Sequence, residues 1–161
     1  MAMVKEFDKG IFDLFSKRWA LLTAGKPGDF NTMTIGWGGL GTLWSKPVVT
    51  VYSRKSRYTH EFLDREEYFT LSFFGEDKRE ILGVLGNKSG RDIDKINNSG
   101  LTPKAIGDSV TFEEAELTIL CKKLYMKELD LQAMPDDVKK TYYDKDSSHD
   151  MYIGEVIEII E

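Results

Sequence analysis

The sequence predicts a mainly β fold, a β-barrel with a few short inserted helices. Residues 31–37 and 68–74 alternate apolar side chains with hydroxyl-bearing ones, a pattern typical of strands with one buried face. Strong turn signals, such as Gly-Lys-Pro-Gly at 25–28, separate the strand-like runs. Helix-like segments are few and short, which favours a barrel over alternating βαβ units.

The elements follow in order along the chain. Predicted strands lie at 19–23, 31–37, 48–52, 68–74, 111–131 and 151–160. Predicted helical segments are a short amphipathic lead-in at 11–15, a helix with Thr59 as its N-cap, and helices at 76–85 and 135–143. The glycines at 36, 38, 39 and 41 indicate bends, bulges or close approach of backbone to a ligand.

Residues 86–109 are rich in Gly, Ser, Asn and Asp, and they predict a long excursion with one helical turn. No internal repeat or linker divides the chain. We therefore predict a single domain over residues 1–161.

The overall charge excludes some classes of partner. A net charge of −5 argues against general binding to nucleic acid or to an anionic membrane. The N-terminal residues carry no apolar signal core and no stretch is long enough to cross a bilayer, so we expect a cytoplasmic protein. One cysteine, Cys121, excludes an intrachain disulfide and a CxxC pair, and its alternating context indicates a buried small hydrophobe.

A basic turn stands out against this acidic total. Residues 53–59 read Ser-Arg-Lys-Ser-Arg-Tyr-Thr and join a β-branched strand to a helix start. Free N–H groups in a first helical turn, closed around by cationic side chains, form an oxyanion site. A solvated turn at a strand end, where Lys and Arg discourage edge pairing, explains the same residues equally well. The residues of the turn leave both interpretations open.

Other candidate sites are weak. The two histidines, His60 and His149, occur without a Gly-x-Ser-x-Gly elbow or metal-ligand spacing, so we predict no metal site. By itself, His149 is better interpreted as a loop histidine before the last strand. No glycine-rich Rossmann or P-loop motif is present. Residues 86–95 could wrap a polar ligand or form a surface loop.

Six motifs that follow one another in order favour the ligand-binding interpretation of these segments. They are Asn-Thr-Met-Thr-Ile-Gly-Trp at 31–37, Trp44-x-x-Pro47, Val-x-x-Arg-x-x-Arg-Tyr-Thr at 51–59, Ser-Gly-Arg-Asp-x-Asp-Lys at 89–95, Glu-Ala-Glu-Leu at 114–117 and His-x-x-Tyr-Ile-Gly-Glu at 149–155. From about Arg18 to Glu158, the chain resembles the flavin reductase-like family, and its flavoredoxin-type members with an FMN-binding split barrel look most similar.

The resemblance implies a split β-barrel homodimer that holds FMN non-covalently near the subunit interface. It places one group of residues along the isoalloxazine and ribityl chain: Asn31, Met33, Thr34, Ile35, Gly36 and Trp37. A second group would hold the phosphate: Ser53, Arg54, Lys55, Arg57 and Thr59. A third would cover the cofactor or reach a neighbouring subunit: Lys88, Ser89 and Arg91. His149 and Tyr152 would line the cavity over the flavin, with His149 as a candidate proton donor or orienting residue.

The function implied is that of an FMN-dependent oxidoreductase. Electrons would pass from NADH, NADPH or another donor through bound FMN to a small-molecule or protein acceptor. One alternative is an FMN-carrying electron-transfer protein without a nicotinamide site of its own. Another is a barrel that binds a different phosphorylated ligand or serves as an interaction module.

Overall fold

The computed structural model describes residues 10–87, 89, 90, 94, 96–145 and 147–161. Its strands are β1 (Ala20–Lys26), β2 (Asp29–Ile35), β3 (Gly38–Leu43), β4 (Lys46–Arg54), β5 (Tyr68–Phe73), β6 (Pro103–Ile106), β7 (Ser109–Phe112), β8 (Leu117–Glu128) and β9 (His149–Ile160). Its α-helices are α1 (Ile11–Asp13), which continues as a π-helical turn over Leu14–Arg18, α2 (Tyr58–Arg65), α3 (Arg79–Asn87) and α4 (Asp136–Tyr142). Two 3₁₀ turns lie at Glu76–Lys78 and Leu131–Ala133.

Seven strands form one antiparallel sheet in the order β2-β1-β5-β8-β9-β4-β3, and β6 and β7 form a separate hairpin. The edge strands β2 and β3 are consecutive in the chain and are joined by Gly36 and Trp37 alone. This short link ties the two edges of the sheet to each other. The mainly β, split-barrel fold predicted from the sequence is confirmed.

Strand β1 shows how the sheet is buried on both faces. Ala20, Leu22 and Ala24 point into the main core with residues from every other strand of the large sheet except β3. Leu21 points the other way and packs beneath helix α3, whose Leu82 and Leu85 are almost fully buried. Alternate side chains of β1 therefore pack into two different cores, and neither face of the strand is exposed to solvent.

A buried layer of hydroxyls lies on the outer face of β1, β2, β5 and β8 and includes one residue of the β6–β7 hairpin. We call it the hydroxyl layer, and its members are Thr23, Thr32, Thr70, Ser72, Thr111 and Thr118. Thr111 Oγ1 lies 2.8 Å from Ser72 Oγ and 2.7 Å from Thr118 Oγ1. Thr70 donates to the carbonyl of Val110, and the hydroxyls of Thr23 and Thr32 lie 2.8 Å apart. These hydrogen bonds offset the cost of burying polar groups.

The structure corrects three parts of the sequence prediction. Residues 38–43, expected as glycine-rich bends, form strand β3, since the ladder to β4 supplies the order that their side chains lack. The excursion at 86–109 includes β6 and the start of β7. The single strand predicted at 111–131 is two strands, β7 and β8, because a turn follows Phe112.

The start of α2 also differs from the prediction. Arg57 is the N-cap, in extended conformation and without a side-chain cap, so Thr59 lies inside the first turn. Its hydroxyl accepts a hydrogen bond of 2.9 Å from the Asn31 amide instead. The buried amide of β2 therefore competes successfully for the hydroxyl that capping would have used.

Candidate functional site

A cleft of about 180 Å³ opens where the ends of three strands meet. Its lining comes from the C-terminal ends of β2 and β4, the β2–β3 link, the basic turn and the start of β9: Met33, Thr34, Ile35, Gly36, Trp37, Tyr52, Ser53, Arg54, Arg57 and His149. The register of the sheet makes this possible, since Arg54 and His149 are direct partners in the β4–β9 ladder. Segments far apart in sequence thus converge on one site.

Arg57 has an unusual environment for a cation. It is partly buried, and within the described residues no hydrogen-bond acceptor or carboxylate contacts its guanidinium. Loss of hydration on burial lowers its pKa from the ordinary value, yet a guanidinium stays charged throughout the usual pH range. A desolvated cation without a counter-charge is an incomplete arrangement that an anionic ligand would complete.

Arg57 also lines a side pocket of about 150 Å³ next to the cleft. The side pocket is bounded by the first turn of α2, the end of α3 and β2: Asn31, Ser56, Tyr58, Thr59, Gly86, Asn87 and Ser89. Here the N-terminus of α2 offers backbone N–H groups beside the cation. The site therefore has the donors expected around a phosphate.

Arg54 lines the cleft but is already engaged. Its two terminal nitrogens each donate a 2.8 Å hydrogen bond, one to the carbonyl of Tyr142 and one to that of Ser147. Its guanidinium also lies 5.2 Å from the centre of the Tyr143 ring. Arg54 therefore holds the segment after α4 against the cleft.

Lys55, predicted to bind the phosphate, does not line the cleft or the side pocket. Its ammonium lies 2.9 Å from Glu128 Oε2 and 3.2 Å from Asp150 Oδ1. The hydrogen bond to Glu128 is the main reason that the pKa of Lys55 is raised. The prediction treated the three cations as one group, whereas successive side chains of the turn point in different directions.

His149 belongs to an aromatic wall of the cleft. Its ring centre lies 5.4 Å from that of Trp37 and 5.5 Å from that of Tyr143. The Tyr143 hydroxyl lies 2.8 Å from His149 Nδ1, and Trp37 packs edge-on against Tyr142. His149 lines the cleft, and its role there stays a prediction. Tyr52, Tyr142 and Tyr143 carried no sequence signal, since no spacing rule connects them to the site.

An apolar groove of about 890 Å³ continues from this wall. It is lined by α1, β3 and the aromatic wall, including Phe12, Phe15, Trp37, Leu40, Tyr143 and His149. Phe12 is 91% exposed and Trp37 is 49% exposed. The groove gives the cleft an open, apolar neighbour on the side away from Arg57.

Tyr152, expected to line the cavity over the flavin, lies elsewhere in the structure. It is fully buried in the main core, and its hydroxyl donates a 2.6 Å hydrogen bond to Asp64. Residues 149 and 152 are three apart on β9, so their side chains face opposite sides of the strand. One of them can line the cleft only if the other does not.

Two further predicted residues, Lys88 and Arg91, lie outside the described residues. Ser89 lines the side pocket.

Cys121 is fully buried, which raises the pKa of its thiol well above the ordinary value. In the part of the chain that the structure describes, no helix is long and apolar enough to span a membrane, and no three His, Cys, Asp or Glu side chains gather as metal ligands would.

Comparison with known proteins supplies the family. The flavin reductase like domain matches residues 12–161, nearly the whole chain. This protein belongs to that family. No curated protein sequence matches it significantly.

Solved structures agree on the fold. An FMN-binding protein of Thermus thermophilus, with bound 1-cyclohex-2-enone, is 20% identical, with a TM-score of 0.70 over 96% of this chain and 76% of its own. A flavoredoxin of Methanosarcina acetivorans, also 20% identical, gives 0.72 over 96% and 73%. An NADH:FAD oxidoreductase of Streptomyces globisporus C-1027, 15% identical, gives 0.68 over 89% and 74%.

Proposed function

We propose that this member of the family binds FMN non-covalently in the cleft and uses it as an oxidoreductase. The observation that carries the proposal is the Arg57 guanidinium, partly buried and without a partner among the described residues, between the cleft and the side pocket. A flavin phosphate carries close to two negative charges and would supply the missing counter-charge.

The residues around Arg57 fit the rest of the cofactor. Asn31, Thr59 and Ser89 offer polar groups for the phosphate end in the side pocket. Thr34, Ile35 and Gly36 present the end of β2 to the cleft, where backbone and small side chains allow a planar ring to lie close. Trp37 and the apolar groove lie beyond, so the ring end would be the less polar one.

Bound FMN would supply the redox chemistry, which no side chain of the chain can provide. The protein binds and orients: Arg57 fixes the phosphate end, and the aromatic wall excludes water from the ring end. His149 lies at the junction of cleft and groove, where it would orient or protonate a second substrate. The groove is the proposed site of that substrate.

Two kinds of electron path fit this geometry. A nicotinamide cofactor could reduce the flavin directly, as the name of the NADH:FAD oxidoreductase implies for that protein. The flavoredoxins among the structural relatives favour a second candidate, an electron carrier whose partner is another protein. The acceptor, a small molecule or a protein, is part of the proposal in either case.

The first experiment measures flavin binding. The purified chain is titrated with FMN and with riboflavin, and its absorption spectrum is recorded before and after. We expect a bound flavin spectrum and tighter binding of FMN. A protein that stays colourless with excess FMN overturns the proposal.

Stopped-flow mixing then separates the two electron paths. Flavin-loaded protein is mixed with NADH or NADPH without oxygen, and bleaching of the flavin absorbance is followed. Rapid bleaching supports the oxidoreductase. Bleaching by dithionite alone supports the carrier.

We also propose a homodimer, whose interface covers the α1 side of the apolar groove and leaves its His149 side to the second substrate. Phe12 and Trp37 expose large apolar side chains there, next to Leu40, and exposed apolar side chains grouped in this way often mark a protein–protein contact. Light scattering after gel filtration tests this. Phe12→Asp should shift a dimer toward monomer, and an unchanged mass would place the interface elsewhere.

A further inference from the structure

A chain of buried and half-buried polar groups lies behind the basic turn, on the side away from the cleft. Asp150 is at its centre, with a side chain that is only 3% exposed. One carboxylate oxygen lies 2.7 Å from His60 Nε2 and the other 3.2 Å from Lys55 Nζ. Lys55 and His60 stand on either side of Arg57 in the sequence. One carboxylate thus bridges both flanks of the turn that presents Arg57, the cation without a partner among the residues that the structure describes.

The same strand makes a second attachment, one helical turn further along α2. Tyr152 follows Asp150 on the same face of β9, and its hydroxyl donates to Asp64 Oδ1. Asp64 Oδ2 in turn lies 3.4 Å from His60 Nδ1. The Asp150 contacts fix the basic turn, whereas the Tyr152 contact fixes the body of the helix. The two attachments meet where Asp64 contacts His60, but only Asp150 also contacts Lys55. Removal of the Tyr152 hydroxyl therefore leaves both contacts of Asp150 in place.

We propose that Asp150 and His60 form a clamp that positions Arg57 for the flavin phosphate, with Asp150 as a positioning residue that does not touch the ligand. The inference rests on the proposed function. It concerns the basic turn alone, because Asp150 does not line the cleft or the side pocket. Held at residues 55 and 60, the turn keeps the Arg57 guanidinium toward the ligand with little entropy left to lose on binding.

An electrostatic role and a positioning role of Asp150 predict opposite changes in FMN affinity when its charge is removed. The direction of the change therefore distinguishes the two roles. As a negative charge near the phosphate site, Asp150 opposes anion binding and also neutralises Lys55. If charge were its whole effect, Asp150→Asn would tighten FMN binding. If it positions Arg57, the same substitution weakens FMN binding even though it removes a negative charge.

The experiment compares FMN with riboflavin, which lacks the phosphate, by calorimetric titration of the wild-type chain and Asp150→Asn. We expect FMN affinity to fall by roughly 3- to 10-fold, less than complete loss of a charge-assisted contact, with riboflavin affinity within about twofold of wild type. Tyr152→Phe is the matched control on the same strand face, and its FMN-to-riboflavin ratio should equal that of wild type.

Three outcomes overturn the clamp. They are tighter FMN binding by Asp150→Asn, equal weakening of both flavins, and an equal loss of the ratio in Tyr152→Phe. If Asp150→Asn does not fold, His60→Gln keeps the bond between Asp150 and Lys55 and must still lower the ratio. An unchanged ratio in that variant overturns the clamp as well.

A readout without flavin distinguishes failure of the clamp from failure of the proposed function. The amide of Arg57 donates to the carbonyl of Arg54, and the amide of His60 donates to that of Arg57. In ligand-free Asp150→Asn, these two amide protons should exchange with solvent faster than in Tyr152→Phe. Equal exchange contradicts the clamp, whereas a wild-type chain that binds no FMN contradicts the proposed function only.

Discussion

The hydroxyl layer and the basic turn differ in whether all of their polar side chains have partners among the described residues. In the hydroxyl layer, six side chains hydrogen-bond one another or a backbone carbonyl. At the basic turn, Arg54 and Lys55 are fully engaged, while Arg57 has no partner within the described residues. Buried polar groups with partners stabilise the fold. A buried cation without one costs stability and suits a ligand that stabilises it.

Arg57→Ala should have the largest effect and gives the comparison its hardest test. Loss of a charge-assisted contact should weaken FMN binding by roughly 1.5–3 kcal/mol, because only FMN carries the phosphate. Riboflavin affinity should hardly change, and the free energy of unfolding of the ligand-free protein should stay the same or rise slightly, because the partly buried charge is removed. Titration with both flavins measures this, with Arg65→Ala on the same helix as control. Equal weakening of both ligands would place the phosphate elsewhere.

Thr111→Val tests the other region. The valine cannot pair with Ser72 or Thr118, so two buried hydroxyls lose a partner, at a cost of roughly 1–3 kcal/mol in the free energy of unfolding. Urea denaturation measures the loss, and the exposed Thr42→Val is the control. FMN affinity should stay the same. A loss of FMN affinity without loss of stability would reverse the roles of the two regions.

Arg54→Ala should have a smaller and more local effect. It removes two hydrogen bonds, one to the carbonyl of the last residue of α4 and one to the carbonyl of Ser147, each worth about 1 kcal/mol at most on a largely exposed segment. Because α4 buries no side chain, we expect faster hydrogen exchange and proteolysis at residues 136–145. FMN should be affected less than by Arg57→Ala. An equal or larger loss of FMN affinity would assign the phosphate to Arg54.

The smallest expected effect is on the pH dependence of stability. Burial by itself raises the pKa of Asp150, but hydrogen bonds from His60 and Lys55 outweigh it and hold the pKa below the ordinary value. Its contribution to stability is therefore present above the ordinary aspartate pKa and is lost as pH falls through the lowered one. Urea unfolding in an acid series should show the gap between wild type and Asp150→Asn narrowing as pH falls. Parallel curves would contradict this.

Much of the fold could be predicted from alternation. Strands β1, β2, β4 and β5 carry apolar or hydroxyl side chains at every second position, which is the direct signature of a pleated, buried strand. Strand β3 has no such signal, since its glycines have no side chains to alternate. Its order comes from the β4 ladder, a contact that no local pattern contains.

The candidate site likewise contains residues whose position a local pattern predicts and residues whose position depends on distant contacts. Residues 33–37, the two arginines of the basic turn and His149 line one cleft, because they lie at or beside strand ends that the fold brings together. Lys55 and Tyr152 do not, because each side chain's direction depends on partners distant in sequence, Glu128 and Asp64. A basic cluster predicts an anion site. It does not tell which of its cations will be left without a counter-ion.

The position of Trp37 gives this protein an internal optical reporter. Of the three tryptophans, Trp44 is 60% exposed, and Trp19 is stacked against Arg79 with its ring centre 3.7 Å from the guanidinium carbon. Trp37 alone of the three borders both the cleft and the apolar groove. With Trp19 and Trp44 replaced by Phe, the remaining fluorescence would come from Trp37, between the proposed flavin site and the proposed substrate site. Quenching of the Trp37 fluorescence would then report the binding of a ligand in the cleft as it occurs.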